Sequence, residues 1–275
     1  MRKLCVVIIL VFGWALASAC AHTTQTQTSI SPSPVIDRVL SRGVLLVGTA
    51  GTMPPLNMTT KEGEIIGLEA DLARYMADSM GVNLKFEAMP FSELLPALQA
   101  GKVDMVMSGM TIIPERNLKV AFVGPYFISG KAFLTKTKTI ASVENASDIN
   151  SPEITLAVLK GSTSQLFVEE AAPQARLVTT KDYDEAVDLV IQDRVDALVA
   201  DYPICLVALL RHPYEDLVSV VTPLTYEPIG IAVPANDPLL VNWIDNILNM
   251  LKGSGELEAL EDHWFEDASW LKRLP

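Results

Sequence analysis

Three short stretches carry the residue types from which a site for a small charged molecule can be built. The first is Ser108–Gly109–Met110–Thr111–Ile112–Ile113–Pro114–Glu115–Arg116, which leaves an apolar run and offers two hydroxyls, a permissive glycine and an arginine. A planar guanidinium grips a carboxylate through two parallel charge-assisted bonds. An arginine after a turn can equally be a solvated surface residue. The second is Lys160–Gly161–Ser162–Thr163–Ser164, which follows one apolar run and opens a helical one. Free N–H groups at a helix start favour an anion, while Ser162 or Thr163 could simply cap the helix. The stretch lacks the glycine and lysine spacing of a nucleotide loop. The third is Asp201, just past the apolar run Val195–Ala200. Its carboxylate can receive an ammonium group, or cap the helix that follows Pro203.

Catalytic constellations are missing from the sequence. It contains neither Gly-x-Ser-x-Gly nor His-Glu-x-x-His, and Cys205 lies among apolar neighbours, where a thiol is inert packing. His263 adjoins Trp264 and reads as a packing residue. With three histidines and none at ligand spacing, neither a metal nor another cofactor is expected. The chain reads as a binding protein, not an enzyme.

Alternating elements must position these stretches. Val44–Val47 is a strand ended by Gly48. Leu68, Leu72, Tyr75, Met76 and Met80 recur at helical spacing up to Gly81. Val82–Ala88 alternates as a strand, Phe91–Ala100 is helical, and Val103–Met107 is a buried strand. A second series follows the Lys/Thr-rich stretch near Thr135–Thr139. It comprises strand Ile154–Leu159, a helix from Gly161 to Ala171, a short Leu177–Val178, helix Glu185–Ile191, strand Val195–Ala200 and helix Pro203–Leu210. Strands Val218–Val221 and Ile229–Val233 come next, then helices Leu239–Leu251 and Glu256–Trp264. Strand and helix in alternation predict parallel sheets covered on both faces. Each series also has a helix followed by a polar corner and a buried strand, Gly101–Lys102–Val103–Asp104 in one and Asp193–Arg194–Val195–Asp196 in the other. Two such units suggest two α/β lobes.

The N-terminus sets the compartment. Met1–Arg2–Lys3 is positive, Leu4–Ala17 is apolar, and Ser18–Ala19–Cys20 follows. That is the order of a secretory signal, residues 1–19, and the apolar run is shorter than the ~20 residues of a membrane span. A cysteine directly after Ala17–Ser18–Ala19 resembles the bacterial lipoprotein box, which implies lipidation at Cys20 and a membrane anchor. Residues 20–35, rich in Thr, Gln, Ser and Pro, read as a flexible tether. The expected location is the cell envelope, in the periplasm or on the outer face of the cytoplasmic membrane. With 21 basic and 33 acidic residues the net charge is −12, which argues against nucleic acid as partner. Of three cysteines, Cys5 leaves with the signal and Cys20 carries the lipid, so Cys205 has no disulfide partner.

The combined pattern resembles the bacterial extracellular solute-binding proteins of family 3, the polar amino acid-binding components of ABC importers. The residues that carry it are Leu45–Thr49, Ile66–Leu72, Leu95–Asp104, Gly109–Arg116, Ala121–Phe122, Pro125–Tyr126, Val195–Ala197, Asp201, Gly230–Val233 and Glu261–Phe265. The resemblance implies a type II periplasmic-binding-protein-like fold of two α/β lobes joined by two crossing strands, near Gly130–Leu134 and Pro228–Val233. Lobe one would be 36–129 plus 228–275, and lobe two 130–227. It implies a monomer that delivers an amino acid to a permease and ATPase. Arg116 would grip the ligand carboxylate, with Thr111 and the backbone at Ser108 and Gly109 beside it. Thr163 would complete that clamp, Asp201 would accept the α-ammonium, and Phe91 would form an aromatic wall. Two departures bear on the side chain. Met53 stands where the family usually has an aromatic residue, and Ala50 stands where members binding cations often carry an acid. The expected ligand is therefore a non-cationic amino acid. Alternatives are a cyclohexadienyl dehydratase-like enzyme on the same scaffold, with Glu227 as its acid or base, and a sensing module for a membrane signalling protein.

Overall fold

The computed structural model describes residues 33–137, 140, 146–219 and 224–275. The predicted signal 1–19, Cys20, the tether as far as residue 32 and the second half of the predicted strand Val218–Val221 lie outside the described residues, as do two of the residues near Thr139.

Among the described residues thirteen strands build three sheets: β1 Val44–Thr49, β2 Thr52–Met53, β3 Asn57–Thr59, β4 Ile65–Ile66, β5 Asn83–Ala88, β6 Met105–Val106, β7 Ala121–Ser129, β8 Lys131–Thr135, β9 Thr155–Leu159, β10 Arg176–Thr180, β11 Ala197–Asp201, β12 Val218–Ser219 and β13 Glu227–Val233. The first large sheet has the order β5-β1-β6-β13-β7 and the second β10-β9-β11-β8-β12, with β2, β3 and β4 forming a small meander. The fold is two α/β lobes of the type II periplasmic-binding-protein kind.

The expectation of purely parallel sheets fails at two strands. β1 runs parallel to β5 and β6, and β9 parallel to β10 and β11. β13 is antiparallel to β6 and β7, and β8 is antiparallel to β11 and β12. Parallel neighbours need a helical crossover between them. β8 and β13 are instead the strands by which the chain changes sheets. It leaves β7, passes Gly130 and enters the second sheet as β8, then returns through Glu227 into β13.

Helix Leu68–Met80 forms where the apolar spacing predicts it. It buries Leu68, Leu72 and Met76 against the first sheet and stops at Gly81, whose φ of 67° closes it in the left-handed conformation. A helix the sequence reading did not include, Pro34–Arg42, precedes β1. Ser33 caps it by accepting from Ile36 N at 3.2 Å, and proline occupies its first turn. Ser33 and Val35, inside the expected tether, are already buried. Asp237 ties this start to the end of the chain. Its Oδ2 accepts from Ser33 Oγ at 3.0 Å and Val35 N at 2.9 Å, while its Oδ1 caps helix Pro238–Ser254 through Leu240 N at 3.0 Å.

The two polar corners do the same work. Asp104 N donates to Leu46 O at 2.9 Å, and its carboxylate accepts from Leu46 N at 2.9 Å. Asp196 N donates to Thr155 O at 2.9 Å, and its carboxylate accepts from Thr155 N at 2.7 Å. Each aspartate thus locks its strand to the neighbour through backbone donor and acceptor together. The residue that turns each corner has positive φ, 68° at Gly101 and 54° at Asp193, a conformation Asp tolerates better than most side chains. Arg38 and Arg42 add ion pairs to Asp104.

Candidate functional site

The cleft between the two large sheets gathers the chemistry. β6 ends at Val106, and the turn through Gly109 carries Thr111 and Arg116 to its mouth. β11 ends at Asp201, and β9 leads into the helix Thr163–Ala171. Both sets of groups leave the C-terminal ends of strands, where open α/β sheets bind ligands. Met53, Phe91, Gly109, Thr111, Arg116, Lys131, Ser162, Thr163, Tyr183 and Asp201 line one small cavity of about 10 Å³, about the room of a single water.

The lobes are closed on one another there. Thr111 Oγ1 lies 3.3 Å from Thr163 Oγ1. Arg116 donates through Nη1 to Thr111 O at 2.8 Å and through Nη2 across the cleft to Gly161 O at 3.2 Å. A guanidinium has more N–H donors than these two bonds use. Its carbon sits 5.7 Å from the centroid of the Phe91 ring, within cation–π range. Arg116 is only 8% exposed, and burial lowers its pKa to about 10 against the opposing pull of Glu227 and Asp201. It remains a cation at neutral pH.

The open readings of the second and third stretches separate here. Ser162 is the helix cap, accepting from Gln165 N at 3.2 Å. Thr163, one residue on, turns its hydroxyl into the cleft and donates to Glu227 Oε2 at 3.0 Å. Asp201 stands at the N-cap of helix Tyr202–Arg211 but makes no side-chain cap bond. Its carboxylate accepts from Lys131 Nζ instead, at 2.5 Å. Lys131 Nζ also lies 3.3 Å from Glu227 Oε2, and Glu227 Oε1 accepts from Thr225 Oγ1 at 3.0 Å. Two cations, Arg116 and Lys131, therefore balance two carboxylates in one buried cluster.

Ser108 and Gly109, expected at the start of the turn, are both held by partners outside the cavity. Ser108 is fully buried behind the turn and accepts from Ala50 N at 2.9 Å. Gly109 reaches the cavity, but its N–H donates at 2.8 Å to the buried carboxylate of Glu69. Glu69 also accepts from Asn57 Nδ2 at 2.6 Å and from the Tyr126 hydroxyl, and burial raises its pKa above the usual 4.5. Glu69 thus pins the turn that carries Thr111. Gly109 has φ 57°, a left-handed conformation that favours glycine, and a Cβ there would push against the movable end of Met53, Cε at 2.6 Å.

Lys131 and Tyr183 were missed from sequence. Lys131 had a signal. It is the charged residue of the otherwise apolar run Lys131–Ala132–Phe133–Leu134, and a buried ammonium requires a carboxylate partner. Beside the cavity opens a wider groove of about 600 Å³ that shares Thr111 and Thr163 and adds Glu115, Glu169, Glu170 and Glu227 at its walls.

Two lobes closing over a buried cluster of one guanidinium, one ammonium and two carboxylates define a solute-binding protein. The chain belongs to the bacterial extracellular solute-binding proteins, family 3, whose pattern it matches over residues 45–267. It is 30% identical over 215 residues to the arginine-binding periplasmic protein of Mannheimia haemolytica, covering 77% of this chain and 86% of that one. It is 26% identical over 250 residues to the cyclohexadienyl dehydratase of Pseudomonas aeruginosa, covering 91% and 93%. Among solved structures, the binding component of an ABC transporter from Wolinella succinogenes, complexed with lysine, is similar at a TM-score of 0.79. That pair shares 36% identity and covers 84% of this chain and 99% of the other. Most of its relatives are amino-acid-binding transport proteins rather than enzymes.

These relatives correct the ligand class drawn from Ala50. Proteins named or seen with arginine and lysine dominate the similar chains, so the expectation of a non-cationic amino acid is overturned. The acids that this cleft does hold, Asp201 and Glu227, come from β11 and β13 rather than from position 50.

Proposed function

We propose that this chain is an extracytoplasmic receptor that captures a cationic amino acid and presents it to the permease and ATPase of an ABC importer. The carrying observation is that Arg116, Asp201 and Glu227 converge on one cleft. An amino acid with a basic side chain bears one carboxylate and two cations, the complement of one guanidinium and two carboxylates. Arg116 receives the ligand carboxylate with Thr111 and Thr163 beside it. Asp201 and Glu227 receive the cations, and the acidic groove with Glu115, Glu169 and Glu170 draws a basic side chain inward. Met53 and Phe91 supply the apolar walls. Residues 36–129 with 228–275 act as one lobe and 130–227 as the other, hinged where β7 passes into β8 and where β13 begins. Closure is favoured by a ligand that touches both halves. Lipidation at Cys20 holds the protein at the membrane.

Titration calorimetry of the purified protein against arginine, lysine, glutamine and glutamate tests this. Arginine or lysine should bind most tightly. Preference for glutamate, or binding of none of the four, would refute the assignment.

A further inference from the structure

Lys131 is the cleft residue that the ligand-binding account leaves unused. It is 1% exposed, and its ammonium is held between Asp201 and Glu227, the groups that the proposed ligand must reach. Nearly all the volume between Arg116 and Asp201 is filled, with about 10 Å³ remaining, so an amino acid cannot enter while this arrangement persists. Separating the lobes breaks the contacts of Thr111 with Thr163 and of Arg116 with Gly161. It does not by itself free Asp201, because Lys131 and Asp201 face each other across adjacent strands, paired in register on β8 and β11.

We propose that Lys131 is an internal competitor for the ligand's cations: it neutralises Asp201 and Glu227 in the empty cleft and must give way as those cations reach them. This rests on the cationic ligand proposed above. Two carboxylates opposed by one ammonium can accept further cations as that ammonium gives way. Lys131 thereby sets both the affinity and the discrimination between a basic amino acid and a neutral one of similar length. A ligand without a side-chain cation asks less of Lys131.

Calorimetry with arginine and glutamine on the wild type, Lys131→Gln and Glu227→Gln tests the exchange. In Lys131→Gln the two carboxylates lose the ammonium held between them, and preference for arginine over glutamine should rise about tenfold or more. In Glu227→Gln the remaining carboxylate is engaged by Lys131, one acceptor for the ligand's cations is gone, and that preference should fall by a similar factor. This second variant decides the matter if the first does not fold. An unchanged preference in the folded variants would overturn the competition, as would a fall in Lys131→Gln. Wild-type protein that binds neither amino acid would instead overturn the cationic-ligand assignment itself, and this inference with it.

Discussion

Replacing Arg116 by alanine separates a binding residue from a structural one, because the two roles predict different energies. In the empty protein the guanidinium carries a burial penalty. Its pKa falls to about 10 from that of a free guanidinium, which corresponds to about 3 kcal/mol against the charged form. Against this stand two bonds to the carbonyls of Thr111 and Gly161, about 1.5–3 kcal/mol each for a charged donor. The balance leaves R116A destabilised by about 0–3 kcal/mol, a thermal shift of some degrees in a protein of this size. With ligand bound the loss is different in kind. A buried carboxylate without its cation costs roughly 2–5 kcal/mol, or about 30- to 5,000-fold in affinity. Arg116→Lys, which keeps the charge but not the fork, should fall between wild type and R116A. Calorimetry with the cognate amino acid, beside thermal melts of each empty variant, measures both quantities. Near-native affinity in R116A would refute the head-group clamp. A loss of affinity no larger than the loss of empty-state stability would assign Arg116 to the fold alone.

Asp201→Asn keeps the shape of the site and removes its charge, so affinity should drop roughly 30-fold or more with the lobes still folded; unchanged calorimetry would rule Asp201 out as a cation acceptor. Glu69 gives a pH test. Its folded pKa is raised, so the fold favours the protonated acid, and the stability this contributes is present below about pH 4.5 and lost as pH rises through the folded value. Glu69→Gln does not titrate there, so the difference in Tm, wild type minus variant, should shrink as pH rises above 4.5; a widening gap would contradict the assigned burial. Intact-mass analysis of the membrane fraction should find a mature chain starting at acylated Cys20, and a start elsewhere without acyl mass would remove the anchor.

Periodicity and punctuation made much of the architecture readable in advance. Gly81 ends its helix where the apolar spacing stops, and the paired corners at Asp104 and Asp196 disclose two similar units. Helix Pro238–Ser254 runs through Gly253, and Gly255 caps it, because Gly255 takes the left-handed conformation. β7 was not legible, since Gly124 and Pro125 interrupt its apolar pattern and read as a turn. In the cleft, residue type alone marked Arg116, Thr163 and Asp201. It could not show that Ser108 turns back to Ala50, or that Lys131 reaches Asp201. Those facts depend on strand register, and β8 meets β11 only after the chain has changed sheets.

The shared cap at Asp237 has a mechanical consequence. It fastens the start of helix Pro34–Arg42 to the helix that follows β13, and Arg38 and Arg42, further along the same helix, tie it to Asp104 beside β1. Any pull transmitted along the N-terminal segment is therefore delivered to the half built on the first sheet, which carries Phe91, Thr111 and Arg116. In the hinge closure proposed above, with the N-terminus held at the membrane, that half would be the stationary jaw and the half bearing Thr163, Lys131 and Asp201 the one that swings.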